Sequence, residues 1–303
     1  MNLAQVTKLD ENGARDYLEA LRWPNGPVCP HCQGTNAVKL AGKSTRPGLY
    51  KCKNKECRKQ FTVTVGTIFE RSHIPLRHWV IAFHLMCATK KGVSAHQIHR
   101  SVGCAYKSAW FMCHRIRHAM KQGPMAPKMT GVVEADETYV GGKHRPGSKN
   151  GRGTAKDPVF ALVERGGEVR AHAIPRVTAN NLRSHLMDNV DTAATLVTDE
   201  CKSYTKLGRQ FARHGIIRHS DKVYVKGDIH TNTIEGFFSL VKRGIYGNFH
   251  HTSKEHLQRY MDEFAFRYNH RKTEDGARRD AAVRATGGKR LTYKAPVARA
   301  ATS

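Results

Sequence analysis

With 303 residues and 39% apolar content, the chain is long enough for two or three compact units with ordinary cores. No apolar stretch approaches the ~20 residues that a membrane-spanning helix needs. The first ten residues lack a basic segment followed by an apolar core, which argues against secretion and for a cytoplasmic protein. Lys and Arg number 51 against 25 acidic residues, a net charge of +26, so a polyanion, nucleic acid above all, is the expected partner.

Residues 1–23 form the first predicted segment, with an amphipathic helix over 10–22 that places Tyr17, Leu18 and Leu21 on one side. Residues 24–70 follow, rich in turn formers and carrying Cys29-Pro30-His31-Cys32 and Cys52-x4-Cys57, the two pairs separated by 19 residues. Each pair can present two thiolates from one tight turn, and two such knuckles close a tetrahedral zinc site. A segment this small has little core, so the metal would supply much of its folding energy. Free thiols, or His31 in place of one cysteine, are the competing readings. Lys39, Lys43, Arg46, Lys51, Lys53, Lys55, Arg58 and Lys59 decorate the unit, and these charges make nucleic-acid contact plausible. Cys87, Cys104, Cys113 and Cys201 have no pair spacing and read as small buried positions.

Residues 71–123 are predicted to be helical. No acidic residue occurs between Glu70 and Glu134, whereas ten Lys/Arg and seven His do. Pro75 suits a first helical turn, with Trp79, Phe83 and Met86 following at helical spacing. Gly92-Val93-Ser94 breaks this helix and Ser94 can cap the next. Residues 92–120 then read as helix, short turn, helix, packing through Val93, Ile98, Val102, Ala109, Met112 and Ile116. Arg100, Lys107, His114, Arg115, Arg117 and Lys121 are left for phosphates and groove edges. This is a helix-turn-helix arrangement whose second helix would enter a major groove of double-stranded DNA; an ordinary basic hairpin is the alternative.

Pro124 and Pro127 mark a linker into a third unit, 130–274. Strands are predicted at 132–140, 159–164, 168–174, near Leu196 and at 216–219, with a Gly- and Lys-rich loop over 141–156. Helices are predicted over 178–190, near 204–211, over 232–244 and over 254–271. Residues 275–303, rich in Ala, Arg, Gly and Lys without periodicity, read as a flexible basic tail.

Three acids in this unit carry the chemistry. Asp136 lies in the first strand, Asp199 closes the run Thr195-Leu196-Val197-Thr198, and Glu235, separated from it by 35 residues, lies in a helix. Strand aspartates meeting a helix glutamate can hold two Mg²⁺ or Mn²⁺ ions around a phosphodiester. Lys242, two turns beyond Glu235 on one face, would steady a phosphate. Glu134, Glu137 and Glu200 rival the two aspartates. Asn232 and Glu235 also fit a capping box, which would leave Glu235 a purely local role.

The motifs CPHC (29–32), CKNKEC (52–57), QFTVTVGTIFE, VEADETYVGGK (133–143), TDECKSY (198–204), HTNTIEGFFSLVKRG (230–244) and YMDEFAFRYNHR (260–271) together resemble the DDE transposases of bacterial insertion sequences, in particular the ISXO-type group with an N-terminal zinc ribbon. The resemblance spans nearly the whole chain. It implies an α/β, RNase H-like catalytic domain preceded by the zinc ribbon and helical domain, with Asp136, Asp199 and Glu235 as metal ligands and Asn232 as a further ligand or helper. It further implies strand cleavage at element ends, attack of the freed 3′-OH on target DNA, and a homo-oligomer that pairs two ends at the nucleoid. No covalent protein–DNA intermediate is expected, since water and a DNA 3′-OH are the nucleophiles. A non-catalytic zinc-containing regulator, or an RNase H-like nuclease that cuts without joining, remains as an alternative.

Overall fold

The computed structural model describes residues 1–123, 126–141, 156–217, 225–226 and 228–293. The loop expected at 141–156 lies almost wholly outside them, as do His219 and Arg218 of the strand expected at 216–219. The chain divides into two compact units, one made of residues 1–120 with 273–303 and the other of residues 121–272. Among the described residues no helix is long and apolar enough to cross a membrane.

The first unit begins with α1 (Leu3–Thr7) and α2 (Glu11–Arg22), the latter capped by Asp10, whose carboxylate accepts the Gly13 N–H at 2.7 Å. A three-stranded antiparallel sheet follows, β1 (Ala37–Lys39), β2 (Tyr50–Cys52) and β3 (Gln60–Phe61). Its small core is an aromatic trio: the Trp23 ring meets Tyr50 and Phe61 edge-on, at centroid distances of 5.3 and 5.8 Å. Three helices complete the central part, α3 (Leu76–Ala88), α4 (Ala95–Val102) and α5 (Tyr106–Met120). Ser94 caps α4 by accepting the Gln97 N–H at 3.2 Å, and Gly103 ends it at φ 70°, a left-handed conformation that glycine adopts without a Cβ penalty. Val93, Ile98, Val102, Ala109, Met112 and Ile116 are all buried.

Two expectations fail in this unit. Arg115, Arg117 and His114 are buried on α5 rather than turned to solvent; Arg115 donates to the Leu291 and Glu70 carbonyls at 3.1 and 2.7 Å. The helix has so many neighbours that little of its circumference stays open. Residues 275–284, expected in a flexible tail, form α9 (Asp275–Arg284). Apolar periodicity missed α9 because arginines do the packing. Arg279 is fully buried, donating to the Tyr17 hydroxyl, the Met1 carbonyl and Asp280, while Arg278 donates to the Cys87 and Thr273 carbonyls.

The second unit is a five-stranded sheet with helices on both faces. Its strands are β4 (Val132–Val140), β5 (Asp157–Glu164), β6 (Val169–Ala173), β7 (Thr195–Thr198) and β8 (Arg213–Ile216), in spatial order β6-β5-β4-β7-β8. The first three form an antiparallel meander, and β7 and β8 run parallel to β4. This mixed sheet is RNase H-like. The crossover from β6 to β7 carries α6 (Ala179–Asn189), capped by Thr178. Two short 3₁₀ turns, Lys202–Tyr204 and Gly208–Gln210, replace the helix expected near 204–211, and β8 lies three residues earlier than expected. A hairpin of β9 (Val225–Lys226) and β10 (Ile229–His230) leads into α7 (Asn232–Gly244), a π-helical turn at Ile245–Phe249, and α8 (Lys254–Asn269).

Alternation along the central strands separates two cores. Val133, Ala135, Phe160 and Leu162 pack with Leu182 and Leu186 on one face. Val140, Val159, Ala161 and Val163 pack with Ile234, Phe237, Val241, Met261 and Phe264 on the other. Glu134 and Asp136 share the α7–α8 face by the same alternation.

Candidate functional sites

Strand pairing places the two aspartates. Ala135 of β4 lies opposite Thr198 of parallel β7, so Asp136 and Asp199 are the next residues on adjacent strands, about 5 Å apart in backbone. Asp199 follows the carboxyl end of β7, and Asp136 lies mid-way along β4, where its parallel pairing with β7 stops. The Asp199 carboxylate accepts the Cys201 N–H at 3.0 Å, and the Asp136 carboxylate accepts the Glu137 N–H at 2.7 Å.

Helix α7 supplies the opposing wall. Asp136, Glu235, Ser239, Lys242 and Arg243 line one open pocket of about 400 Å³. Glu235 and Lys242 are exposed on the polar stripe of α7, whose other side carries Ile234, Phe237 and Val241 into the core. The helix begins at Asn232 after Thr231, and the Thr231 hydroxyl donates to Glu235 Oε1 at 3.0 Å. The expected capping box is therefore absent, because Asn232 is already inside the helix. Asn232 is exposed and does not line the pocket.

Glu134 performs the capping instead. Fully buried, its carboxylate accepts the N–H groups of Thr233 and Ile234, both at 2.9 Å, and the Thr233 hydroxyl at 2.9 Å. Arg165 donates to it at 2.7 Å and to the carbonyls of Asp228 and His230 at 2.5 and 2.7 Å, tying the β9–β10 hairpin to the sheet. The second rival, Glu137, faces the α6 side, where the Tyr204 hydroxyl donates to it at 2.5 Å. The third, Glu200, is exposed.

Burial, then the charges of Asp199 and Glu235, push the Asp136 pKa up to about 7, while Lys242 pulls weakly the other way. Burial likewise pushes Glu137 up to about 7, with the Asp136 and Asp199 charges adding to it. The cleft thus gathers more negative charge than Lys242 offsets, and divalent cations fit that donor set. The carboxylates do not all lie within 4.8 Å of one another, as the cysteines below do. A two-ion site spreads its ligands over a pair of cations ~4 Å apart and does not require every ligand atom to surround one point.

The second site lies in the first unit. The donor atoms of Cys29, Cys32, Cys52 and Cys57 all lie within 4.8 Å of one another, the one such group of metal-ligating side chains among the described residues. Cys29 and Cys57 sulfurs are 3.7 Å apart and those of Cys32 and Cys52 3.6 Å apart, spacings that fit one tetrahedral ion. Each knuckle closes with a left-handed residue just after its second cysteine, Gln33 at φ 60° and Arg58 at φ 49°. The longer second spacing therefore leaves the turn geometry intact. His31 is exposed and outside the group.

Arg100 and Lys107 are exposed on α4 and α5, and Lys121 is exposed where the second unit begins. Arg115 and Arg117 do not join them.

A curated relative, "Uncharacterized protein in transposable element ISH50" of Halobacterium salinarum, is 32% identical over 279 residues, 86% of this chain and 92% of its own length. The family model of the ISXO2-like transposase domain matches residues 128–269, and that of the transposase zinc-ribbon domain matches residues 9–60. The chain belongs to the ISXO2-like transposase family. The matched region of this transposase domain contains both aspartates, Glu235 and Lys242, and the zinc-ribbon match contains all four cysteines. Among solved structures, a pre-cleavage Mos1 transpososome matches at 12% identity and a TM-score of 0.26, over 64% of this chain and 74% of the other. The Mos1 strand transfer complex matches at 12% and 0.24, over 60% and 73%. Both likenesses are too slight to carry an argument.

Proposed function

We propose that this member of the transposase family cuts and joins DNA at the ends of a mobile element, using Asp136, Asp199 and Glu235 to hold two Mg²⁺ or Mn²⁺ ions. The observation that supports this best is the register of β4 and β7, which sets Asp136 beside Asp199, with Glu235 and Lys242 facing Asp136 across one pocket. Such ions would polarise the scissile phosphodiester and stabilise the attacking and leaving oxygens. Lys242 supplies a point charge to a non-bridging phosphate oxygen. Glu134 and Arg165 set where α7 starts, and hence where Glu235 stands. On this reading Asn232, three residues before Glu235 on α7, is a further ligand or helper.

On this reading Cys29, Cys32, Cys52 and Cys57 hold a structural zinc ion. The first unit, through Arg100 and Lys107 and the charges around the ribbon, binds the double-stranded element ends. Lys121 adds a phosphate contact. The protein acts on chromosomal DNA at the nucleoid, in the cytoplasm, as a homo-oligomer that pairs two ends.

The test is divalent-ion-dependent cleavage of the flanking element's ends by wild type and Asp136→Ala, followed by strand transfer from precleaved ends. Loss of both activities in the variant supports the reading. Cleavage without joining by the wild type would point to a nuclease. DNA binding with no ion-dependent cleavage would point to a regulator.

A further inference from the structure

A second cavity, of about 370 Å³, opens in the first unit beside α5, and its lining has the chemistry of a nucleotide site. Trp79, Phe111 and Tyr293 supply aromatic surface, and Arg71, Arg115 and Arg290 supply charge. Phe111 and Tyr293 meet edge-on at 5.3 Å, and Tyr293 is 59% exposed. A tyrosine with that much open surface beside a cavity is available for stacking.

The cations are poorly neutralised. Glu70 is the sole acid in the lining among the described residues; its carboxylate is 3.5 Å from Arg290 and also accepts the Gly66 N–H at 2.9 Å. Arg115 is 6% exposed, with its guanidinium 5.1 Å from the Phe111 ring centroid, and has spent two nitrogens on carbonyls. Burial lowers its pKa, the neighbouring Arg290 charge adds to this and Glu70 opposes it, so two guanidinium groups lie near one carboxylate. The walls are fixed: the Trp79 indole donates to the Ser72 hydroxyl at 3.2 Å, and Arg71 turns the chain at φ 55°. Guanidinium groups around an aromatic face match a base stacked on a ring with its phosphate between the arginines.

We infer that this cavity binds one unpaired nucleotide of single-stranded DNA, its base against Tyr293 and Phe111 and its phosphate between Arg115 and Arg290. The inference rests on the reading of this unit as the DNA-binding part, and extends it. The exposed Lys107 lies one helical turn before Phe111 on α5. A duplex held at Lys107 could therefore deliver a frayed or extended strand to the cavity.

The test is fluorescence anisotropy of the full chain, with no divalent ion added. The probes are a blunt duplex, the same duplex with a short single-stranded extension, and a short oligothymidylate. The extension should tighten binding about tenfold, the scale of one stacked base. Tyr293→Ala and Arg290→Ala should each abolish that increment and weaken oligothymidylate binding, leaving the blunt duplex unaffected; Tyr293→Phe should restore it. Asp136→Asn should retain the increment, because the readout bypasses the acidic cleft. The inference is overturned by equal affinity for the two duplexes. It is equally overturned if the variants weaken the blunt duplex in step, or if inorganic phosphate displaces oligothymidylate as well as thymidine monophosphate does. None of these results bears on ion-dependent cleavage, so this inference and the proposed chemistry can fail separately.

Discussion

Glu134 accepts the backbone N–H of Ile234 at 2.9 Å, and these two residues precede Asp136 and Glu235 by two positions and one. A carboxylate that plays no direct part in the cleft thus fixes the register between strand and helix. Replacing it with glutamine leaves the shape but turns an acceptor into a donor facing N–H groups and Arg165. Glu134→Gln should lose about 3 kcal/mol of stability, as when one partner of a buried hydrogen-bonded pair is removed. At a temperature where the variant is folded, cleavage should need more divalent ion than wild type. A stability loss with an unchanged ion requirement would reduce Glu134 to a structural role.

Asp136 is held against Asp199 and Glu235, with its pKa raised to about 7. A raised carboxylate destabilises the fold above its unfolded pKa, so ion-free protein should weaken as pH rises from about 4 to about 7. Asp136→Asn should weaken this trend, leaving the share that Glu137 contributes, and gain about 1–2 kcal/mol at neutral pH, after allowance for the partial exposure of the cleft. Added Mg²⁺ should raise the melting temperature of wild type but not of the variant. Parallel melting curves across pH would contradict the argument.

The cysteine cluster should bind one zinc ion per chain, measurable by elemental analysis. Cys52 is buried within it, and Cys52→Ser should lose the metal and unfold the ribbon, because zinc contributes on the order of 10 kcal/mol to such modules. Retention of full zinc stoichiometry would mean that another residue completes the site.

Arg100→Ala and Lys107→Ala should each weaken duplex binding and lower the slope of log affinity against log salt by about 1. Arg117 is 2% exposed, so Arg117→Ala should lower stability and leave that slope unchanged in whatever protein remains folded. A shared salt effect among the three would show that α5 presents a different face to DNA.

Most of this architecture could be read from the chain, and the larger exceptions share one cause. The apolar periodicities around Leu18, Ile98, Ile116, Phe160 and Phe237 mark buried faces, and the cysteine spacing marks the knuckles. Polar side chains used as core components leave no such trace. Arg117 looks like a phosphate ligand until it is seen to be enclosed on α5, Arg115 turns inward to hold carbonyls beside a cavity, and Arg278 and Arg279 make α9 look like a solvated tail. The same holds in the acidic cleft. Glu134 was visible as a neighbour on the Asp136 strand face, but its use as a cap depends on a partner 100 residues away. Two helices lack a local cap hydrogen bond and take one from a distant glutamate: α7 from Glu134, and α3 from Glu11, which accepts the Leu76 and Arg77 N–H groups at 2.9 and 3.3 Å.

Arg279 tests this most directly. It is fully buried with an acidic partner, Asp280, at 2.7 Å, so Arg279→Ala should cost about 3 kcal/mol by removing at once the cation beside Asp280 and the donor to the Tyr17 hydroxyl and the Met1 carbonyl. Proteolysis should then cut near residue 275 in the variant and not in wild type. Unchanged resistance would mean that α9 contributes little to the first unit.

The bond from Arg279 to the Met1 carbonyl spans 278 positions, and it orders events during synthesis. The acidic cleft is complete once residue 272 has left the ribosome, whereas the amino-terminal unit must wait for α9 to arrive. A premature stop after residue 272 would therefore cripple a region translated long before the lesion. Such a product would keep an intact acidic cleft beside an unfinished amino-terminal unit.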